Sequence, residues 1–247
     1  MTEAAAPPPA LSAGSALYLD FDGTLTRLAA RPDAVEIPAG LTALLDALRL
    51  RLEGAIAILS GRRLADLDTL LAPLRLAGAG VHGAEIRAEP DGTAHFEPVP
   101  GIESLSSELR ARFASDPRLL IEDKLAAVAL HFRQAPERAA ECVAAMKEFA
   151  PGLGLRVIRG HEVVEAWPSA VNKGAALRRL SAHAPFAGRV PVFVGDDTTD
   201  EHAFEAAATL GGHGVKVGPG ASCARYRCRT VEDVHAWLRN SLQHEHA

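Results

Sequence analysis

Asp20 and Asp22 close the apolar run that begins at Leu17 and continues into Gly23, Thr24 and Leu25, and they are the first residues in the chain whose spacing could do chemistry. Residues two apart on a strand point to the same side. Gly23 breaks the run directly after the second acid, so both carboxyl groups belong at the end of a short buried strand, where open α/β sheets place their ligands. Two carboxylates repel by roughly 4 kcal/mol at about 4 Å and an effective dielectric near 20. A divalent cation, or a proton on one of them, must offset that repulsion.

Three further groups stand in comparable positions. Ser60, Gly61 and Arg62 follow the apolar run 55–59, where a hydroxyl and free backbone N–H groups can hold phosphate oxygens. Lys173 lies in the first turn of a helix capped by Ser169 or Asn172. A helix N-terminus prefers acids, so a lysine placed there is expected to face an anion or an acidic cluster. Asp196, Asp197, Asp200 and Glu201 follow the apolar run 190–194, and this density of acid calls for a cation or a basic partner.

The elements that must carry these groups alternate. A strand at Leu17–Leu19, a loop over 27–38, a helix over 39–52, a strand over 55–59 and a helix over 63–71 make the repeating unit of a parallel sheet. A glycine-rich turn is expected over 76–85. From Glu85 the pattern changes to short strands with a hairpin signal at Asp91-Gly92, a helix over 102–113, two strand-like runs over 119–133, a helix over 137–149, and strands over 155–157 and 162–166. This stretch is expected to form its own small core. The first sheet resumes with strands at 190–194 and 215–218 and a final helix over 231–242. The expected domains are a core of residues 16–84 and 167–247, an inserted α+β domain of residues 85–166, and a disordered tail over 1–15.

The formal net charge of −5 argues against nucleic acid as a partner, since phosphate backbones are held by clustered Lys and Arg. No apolar run approaches the ~18 residues needed to span a bilayer, so no membrane partner is expected. The opening fifteen residues, rich in Ala and Pro, lack the basic and apolar regions of a signal peptide. The three cysteines have no zinc spacing, and reduced thiols in a cytoplasmic protein are expected.

Taken in order, two aspartates with Gly-Thr, a hydroxyl, a lysine and an acidic cluster resemble the four motifs of the haloacid-dehalogenase-like superfamily, most of whose members are phosphatases. Glu122-Asp-Lys124, His131-Phe-Arg133, Val81-His82-Gly83-Ala-Glu85 and Glu165 narrow the resemblance to the trehalose-6-phosphate phosphatase family. It covers nearly all of Leu17 to Gly218.

That resemblance implies a Rossmann-like core with a parallel sheet and an inserted cap of the C2 type, closing over a sugar phosphate. It implies that Asp20 is the nucleophile forming an aspartyl-phosphate, and that Asp22 is the general acid and then base, neutral at the outset while Asp20 is ionised. Mg²⁺ would bind a carboxylate oxygen of Asp20, the backbone carbonyl of Asp22, and Asp196. Asp197 and Asp200 would reach it through water or orient Lys173. Ser60, Gly61 and Lys173 would hold the phosphoryl group, with Thr24 steadying Asp20. Arg62, His82, Gly83, Glu122, Lys124 and Glu165 would bind the sugar, while His131 and Arg133 support the cap. Trp167 stands where relatives often carry a basic residue. A monomer is expected. The alternatives are a phosphatase of the sucrose-phosphate or mannosyl-phosphoglycerate type, a phosphomutase, and a non-catalytic sugar-phosphate sensor.

Overall fold

The computed structural model describes residues 6–28, 34–96, 101–124, 126–160 and 162–243. Residues 1–5 of the expected tail, 29–33 of the expected loop and 125 of the strand-like run lie outside the described residues. In chain order the first elements are β1 (Ser15–Leu19), α1 (Leu41–Arg51), β2 (Ile56–Leu59), α2 (Leu64–Leu70), β3 (Ala77–Gly80), β4 (Glu85–Arg87) and β5 (His95–Phe96). Then come α3 (Ile102–Arg112), β6 (Leu120–Lys124), β7 (Ala127–His131), α4 (Ala139–Phe149), β8 (Leu155–Arg159) and β9 (Val163–Pro168). The chain closes with α5 (Lys173–Ser181), β10 (Val190–Gly195), α6 (Glu201–Thr209), β11 (His213–Val217), β12 (Tyr226–Cys228) and α7 (Val231–Gln243).

The fold is α/β, a Rossmann-like core with an inserted domain. Two compact units divide the chain: Met1–Phe96 with Asn172–Ala247, and Glu97–Val171. The first contains an eight-stranded sheet in the order β12-β11-β10-β1-β2-β3-β4-β5. Its strands from β12 to β3 run parallel, and β4 and β5 add two antiparallel edge strands. Strands buried on both faces need apolar side chains on both, which is why β1, β2 and β10 read as continuous apolar runs. Leu41, Leu44, Leu45 and Leu48 recur at helical spacing and bury one face of α1.

The second unit holds the four-stranded antiparallel sheet β6-β7-β9-β8. Val128 and Leu130 of β7 and Val164 and Ala166 of β9 pack against Leu105 and Leu109 of α3 and Cys142, Ala145 and Met146 of α4. One face of this sheet is thus the core of the unit, and alternate residues point the other way.

The structure departs from sequence expectation in four places. Residues 77–80 are a buried strand, not part of a turn. Ala and Gly have low strand propensity, but β2 and β4 flank this strand on both sides, and a Cβ at Gly78 would stand 2.5 Å from the Ile58 carbonyl oxygen. The hairpin signalled by Asp91-Gly92 extends the first sheet, so the inserted unit starts at Glu97 and not at Glu85, and it ends at Val171. Residues 6–15 are tied to the core at Leu11 and Pro9: Leu11 is 3 % exposed, its N–H donates to Ser241 Oγ of α7, and Trp237 Nε1 donates to the Pro9 carbonyl. Proline-rich chain with little propensity of its own acquires order here because α7 offers an indole N–H to the Pro9 carbonyl and a hydroxyl oxygen that accepts from the Leu11 N–H. Finally, α6 and β12 had no counterpart in the sequence pattern. All three cysteines are free.

Gly78→Ala should lower stability by about 1–3 kcal/mol, the usual range for forcing a group into a filled core. Urea unfolding followed by circular dichroism would measure it, and an unchanged midpoint would contradict the packing described.

Candidate active site

Parallel register brings the C-terminal ends of three strands to one edge. Leu19 of β1 lies opposite Ile58 of β2 and Val194 of β10, and the Asp20 N–H donates to the Val194 carbonyl. Asp20, Ser60 and Asp196 therefore leave the sheet side by side. Gly23 has φ of 80°, and a Cβ there would collide with the Asp196 carboxylate. The glycine after the second acid thus lets the β1 loop close against the β10 loop.

Lys173 ties the edge together. It is 3 % exposed, and its Nζ donates to Asp20 Oδ1 at 2.6 Å and to Asp200 Oδ1 at 2.6 Å. Asn172 caps α5 by accepting from the Ala175 N–H at 2.9 Å, which fixes the first turn and hence the lysine. Burial disfavours the ammonium, yet the two carboxylates outweigh it and raise its pKa. Asp200 uses its second oxygen to accept from the N–H groups of Asp196 at 2.9 Å and Asp197 at 3.0 Å. It holds the acidic loop in shape.

Burial pushes Asp20 up to about 6, against the opposing pull of Lys173. Burial likewise raises Asp200 to about 6, with the Asp20 charge adding to it. Burial also raises Asp196, whose carboxyl is within hydrogen-bonding reach of Asp20. Two carboxyls approach so closely only across a proton or a cation. Thr24 Oγ1 lies 3.3 Å from Asp20 Oδ2 and 3.4 Å from Asp196 Oδ1, so it bridges both.

Oxygens of Asp20, Asp196 and Asp200 lie within 4.8 Å of one another. All are hard donors of the kind that bind Mg²⁺, Mn²⁺ or Ca²⁺. Both oxygens of Asp200 are already engaged, so Asp20 and Asp196 are the carboxylates fitted to hold an ion, with Asp200 positioning Lys173 and the loop. The Asp197 carboxylate accepts from Thr198 N at 2.6 Å and caps the short helical turn Thr198–Asp200.

The second aspartate has a different environment. Arg62 grips Asp22 in a bidentate pair, Nε to Oδ2 at 2.7 Å and a terminal nitrogen to Oδ1 at 2.8 Å. The guanidinium also lies over the Phe21 ring at 5.8 Å. Arg62, expected to line the cleft for sugar, is thus first a partner of Asp22. Ser60 is buried and its Oγ accepts from the Arg62 N–H at 3.1 Å. The His82 ring packs on Gly61, leaving no room for a side chain there. Gly83, at φ of 111°, lies against the Asn172 carbonyl. These contacts link the Ser60 turn to the start of α5.

In the inserted unit, the face of the sheet away from α3 and α4 carries the remaining expected residues. Glu122 Oε2 is 2.8 Å from His131 Nε2. Lys124 Nζ donates to Glu165 Oε1, and Trp167 Nε1 donates to Glu165 Oε2 at 3.2 Å. Arg133 pairs with Glu162 instead, with Nε to Oε2 at 2.8 Å.

Sequence pattern missed Lys216. It is 6 % exposed on β11, and its Nζ donates to the backbone carbonyls of Asp196 at 2.6 Å and Val217 at 2.5 Å. A lysine inside an otherwise apolar strand, beside a loop of four acids, was the available signal.

A sheet of this order with acids, hydroxyl and lysine at one edge defines a phosphatase of the haloacid-dehalogenase-like type, a class that is generally metal-dependent. The trehalose-phosphatase family model matches residues 18–226. The chain is 39 % identical over 243 residues to a trehalose-6-phosphate phosphatase of Escherichia coli, covering 96 % of this chain and 90 % of that protein. It is 44 % identical over 207 residues to a probable trehalose-phosphate phosphatase of Sinorhizobium fredii, covering 83 % and 78 %. A trehalose-6-phosphate phosphatase of Aspergillus fumigatus shares the fold, with a TM-score of 0.72 at 24 % identity over 93 % of each chain. The chain belongs to the trehalose-phosphatase family, hydrolases of trehalose biosynthesis. Among the described residues no helix is long and apolar enough to cross a membrane.

Below about pH 4 the raised carboxyls of Asp20 and Asp200 contribute their full stabilisation as protonated groups, and the contribution is lost as pH rises through about 6. A divalent cation must displace that proton. The rise in Tm caused by adding the cation should therefore grow from about pH 5 to about pH 7, as read by scanning calorimetry. An increment independent of pH over that interval would contradict the assignment.

Proposed function

We propose that the protein hydrolyses trehalose 6-phosphate to trehalose and inorganic phosphate, with Mg²⁺ as cofactor and Asp20 as the nucleophile. The observation carrying this reading is the bond from Lys173 to Asp20 Oδ1, which aims the other carboxylate oxygen and places an ammonium beside the attacking group. A carboxylate attacking a phosphate ester faces like charge, and such transfers depend chiefly on positioned positive charge.

In the proposed first step Asp20 Oδ2 attacks phosphorus, the bond from phosphorus to the sugar oxygen breaks, and Asp22 protonates the departing alcohol. In the second, water attacks phosphorus, Asp22 takes its proton, and the bond to Asp20 breaks to release phosphate. Ser60 and Lys173 hold the phosphoryl oxygens. Mg²⁺, held by carboxylate oxygens of Asp20 and Asp196 and by the Asp22 backbone carbonyl, would supply charge neutralisation and in-line orientation. Asp22 cannot donate a proton while both its oxygens accept from Arg62. Arg62 must release it when substrate arrives, which frees the guanidinium for the substrate. Glu122, Lys124 and Glu165, already placed on one face of the inserted unit, suit sugar hydroxyls because each can both orient and accept or donate. That unit serves as the cap.

Asp20→Asn should abolish turnover while leaving the circular dichroism spectrum close to wild type; activity near wild type in that variant would contradict the mechanism. Phosphate release should be fastest with trehalose 6-phosphate among sugar phosphates that include sucrose 6-phosphate and glucose 6-phosphate, and a metal chelator should stop it. Equal rates on glucose 6-phosphate and trehalose 6-phosphate would refute the disaccharide assignment. Label exchange between sugars without free phosphate would indicate a mutase.

A further inference from the structure

Both peptide groups that flank the Asp196 Cα are bonded to charged side chains. On one side the Asp196 N–H donates to Asp200 Oδ2 at 2.9 Å. On the other, the Asp197 N–H donates to the same oxygen at 3.0 Å, and the Asp196 carbonyl accepts from Lys216 Nζ at 2.6 Å. Rotation about either backbone bond of Asp196 would break at least one of these. The carboxylate can then move only through its own side-chain torsions, and Thr24 Oγ1, 3.4 Å from Oδ1, restrains those.

Lys216 reaches this carbonyl because of what stands opposite it. In the parallel register it pairs with Gly195 of β10 and with Arg227 of β12, and paired residues of neighbouring strands share a face of the sheet. A Cβ at Gly195 would stand 2.4 Å from Asp200 Oδ2, so Asp200 occupies the room that a side chain would fill there. The lysine is 6 % exposed, and its ammonium donates to the Asp196 and Val217 carbonyls and to no carboxylate among the described residues. An ammonium buried without a bonded counter-charge is costly. A methionine of similar length would fill the strand without that cost. What the ammonium alone supplies is a charge-assisted hydrogen bond, shorter and stronger than a neutral one, to the Asp196 peptide.

We propose that Lys216 is a positioning residue for the divalent cation: by fixing the Asp196 peptide it holds the Asp196 carboxylate in register with that of Asp20, so that one ion meets two aligned oxygens. The proposal rests on the reading of Asp196 as a cation ligand. Lys216 acts through the backbone of that ligand and takes no part in phosphoryl transfer. Removing a group that orients a metal ligand from behind typically weakens metal binding by about 10- to 100-fold. Arg227 is the natural comparison. It lies next to Lys216 on the same face, and its guanidinium ties the Gly218 and Gly220 carbonyls, with Nη2 to the Gly220 oxygen at 2.8 Å.

The test titrates Mg²⁺ by calorimetry and Mn²⁺ by electron paramagnetic resonance into wild type, Lys216→Met, Lys216→Gln and Arg227→Met, with no substrate present. Lys216→Met should raise the Kd of both ions by about tenfold or more. Its KM for trehalose 6-phosphate at saturating Mg²⁺ should stay near that of wild type. Lys216→Gln keeps a neutral donor on a shorter stem and should fall between the two. Arg227→Met should lower Tm while leaving both Kd values unchanged. Should Lys216→Met fail to fold by circular dichroism, Lys216→Gln against Arg227→Met decides on the same readings. Wild-type affinity in the Lys216 variants, or an equal loss in Arg227→Met, overturns the positioning role alone. A wild type that binds neither ion overturns the reading of the cation site and this role with it.

Discussion

A buried ammonium ion bonded to two buried carboxylates is the interaction on which this site depends. Lys173, Asp20 and Asp200 come from the start of a helix, the end of the first strand and the loop after β10. Each of these charges alone would be strongly disfavoured in such surroundings, and removal of one partner strands the others. The triad therefore couples three segments far apart in the chain. Asp200 passes the constraint on, since its other oxygen holds the N–H groups of Asp196 and Asp197. Lys216 secures the same loop from behind through the Asp196 carbonyl. The result is an edge held in place by the chain's own charges and hydrogen bonds, as catalysis by electrostatic preorganisation requires.

The two aspartates of the first strand illustrate how environment separates chemically identical groups. Asp20 is enclosed, beside Asp196 and under Lys173, and burial favours a proton or a cation there. Asp22 is nearer solvent and locked to Arg62. The family resemblance implied a proton on Asp22 at the outset. In the structure Asp22 is instead held by a guanidinium, so the acid role proposed for it requires that pair to open. In the proposed mechanism Arg62 would connect substrate arrival to the release of the acid.

Much of the architecture was legible because buried parallel strands must be apolar on both faces, and because each strand ended in residues that break such runs. Asp20, Ser60 and Asp196 could be assigned to one sheet edge on that basis alone, and Asn172 as the cap of Lys173 followed from ordinary helix chemistry. What escaped was fixed by tertiary context. The Ala-Gly-Ala-Gly strand is dictated by close approach of its neighbours, and no propensity announces it. The Asp91-Gly92 hairpin was visible as a hairpin, but which sheet it extends depends on pairing with β3. Pro7 to Leu11 looks featureless until α7 supplies Trp237 and Ser241. Lys216 was hidden because a lone lysine in a strand usually points to solvent. The Arg62 pair was hidden because residues 22 and 62 are joined only by the fold.

The central claim is that the Asp20 carboxylate, aimed by Lys173, becomes covalently attached to phosphorus. Rapid acid quenching of the protein mixed with trehalose 6-phosphate, followed by peptide mass spectrometry, tests it most directly. The account predicts one acid-stable, base-labile phosphoryl group on the peptide carrying Asp20, absent from the Asp20→Asn variant. Phosphate released at full rate with no phosphorylated peptide at any quench time, or with the group on another residue, would contradict it.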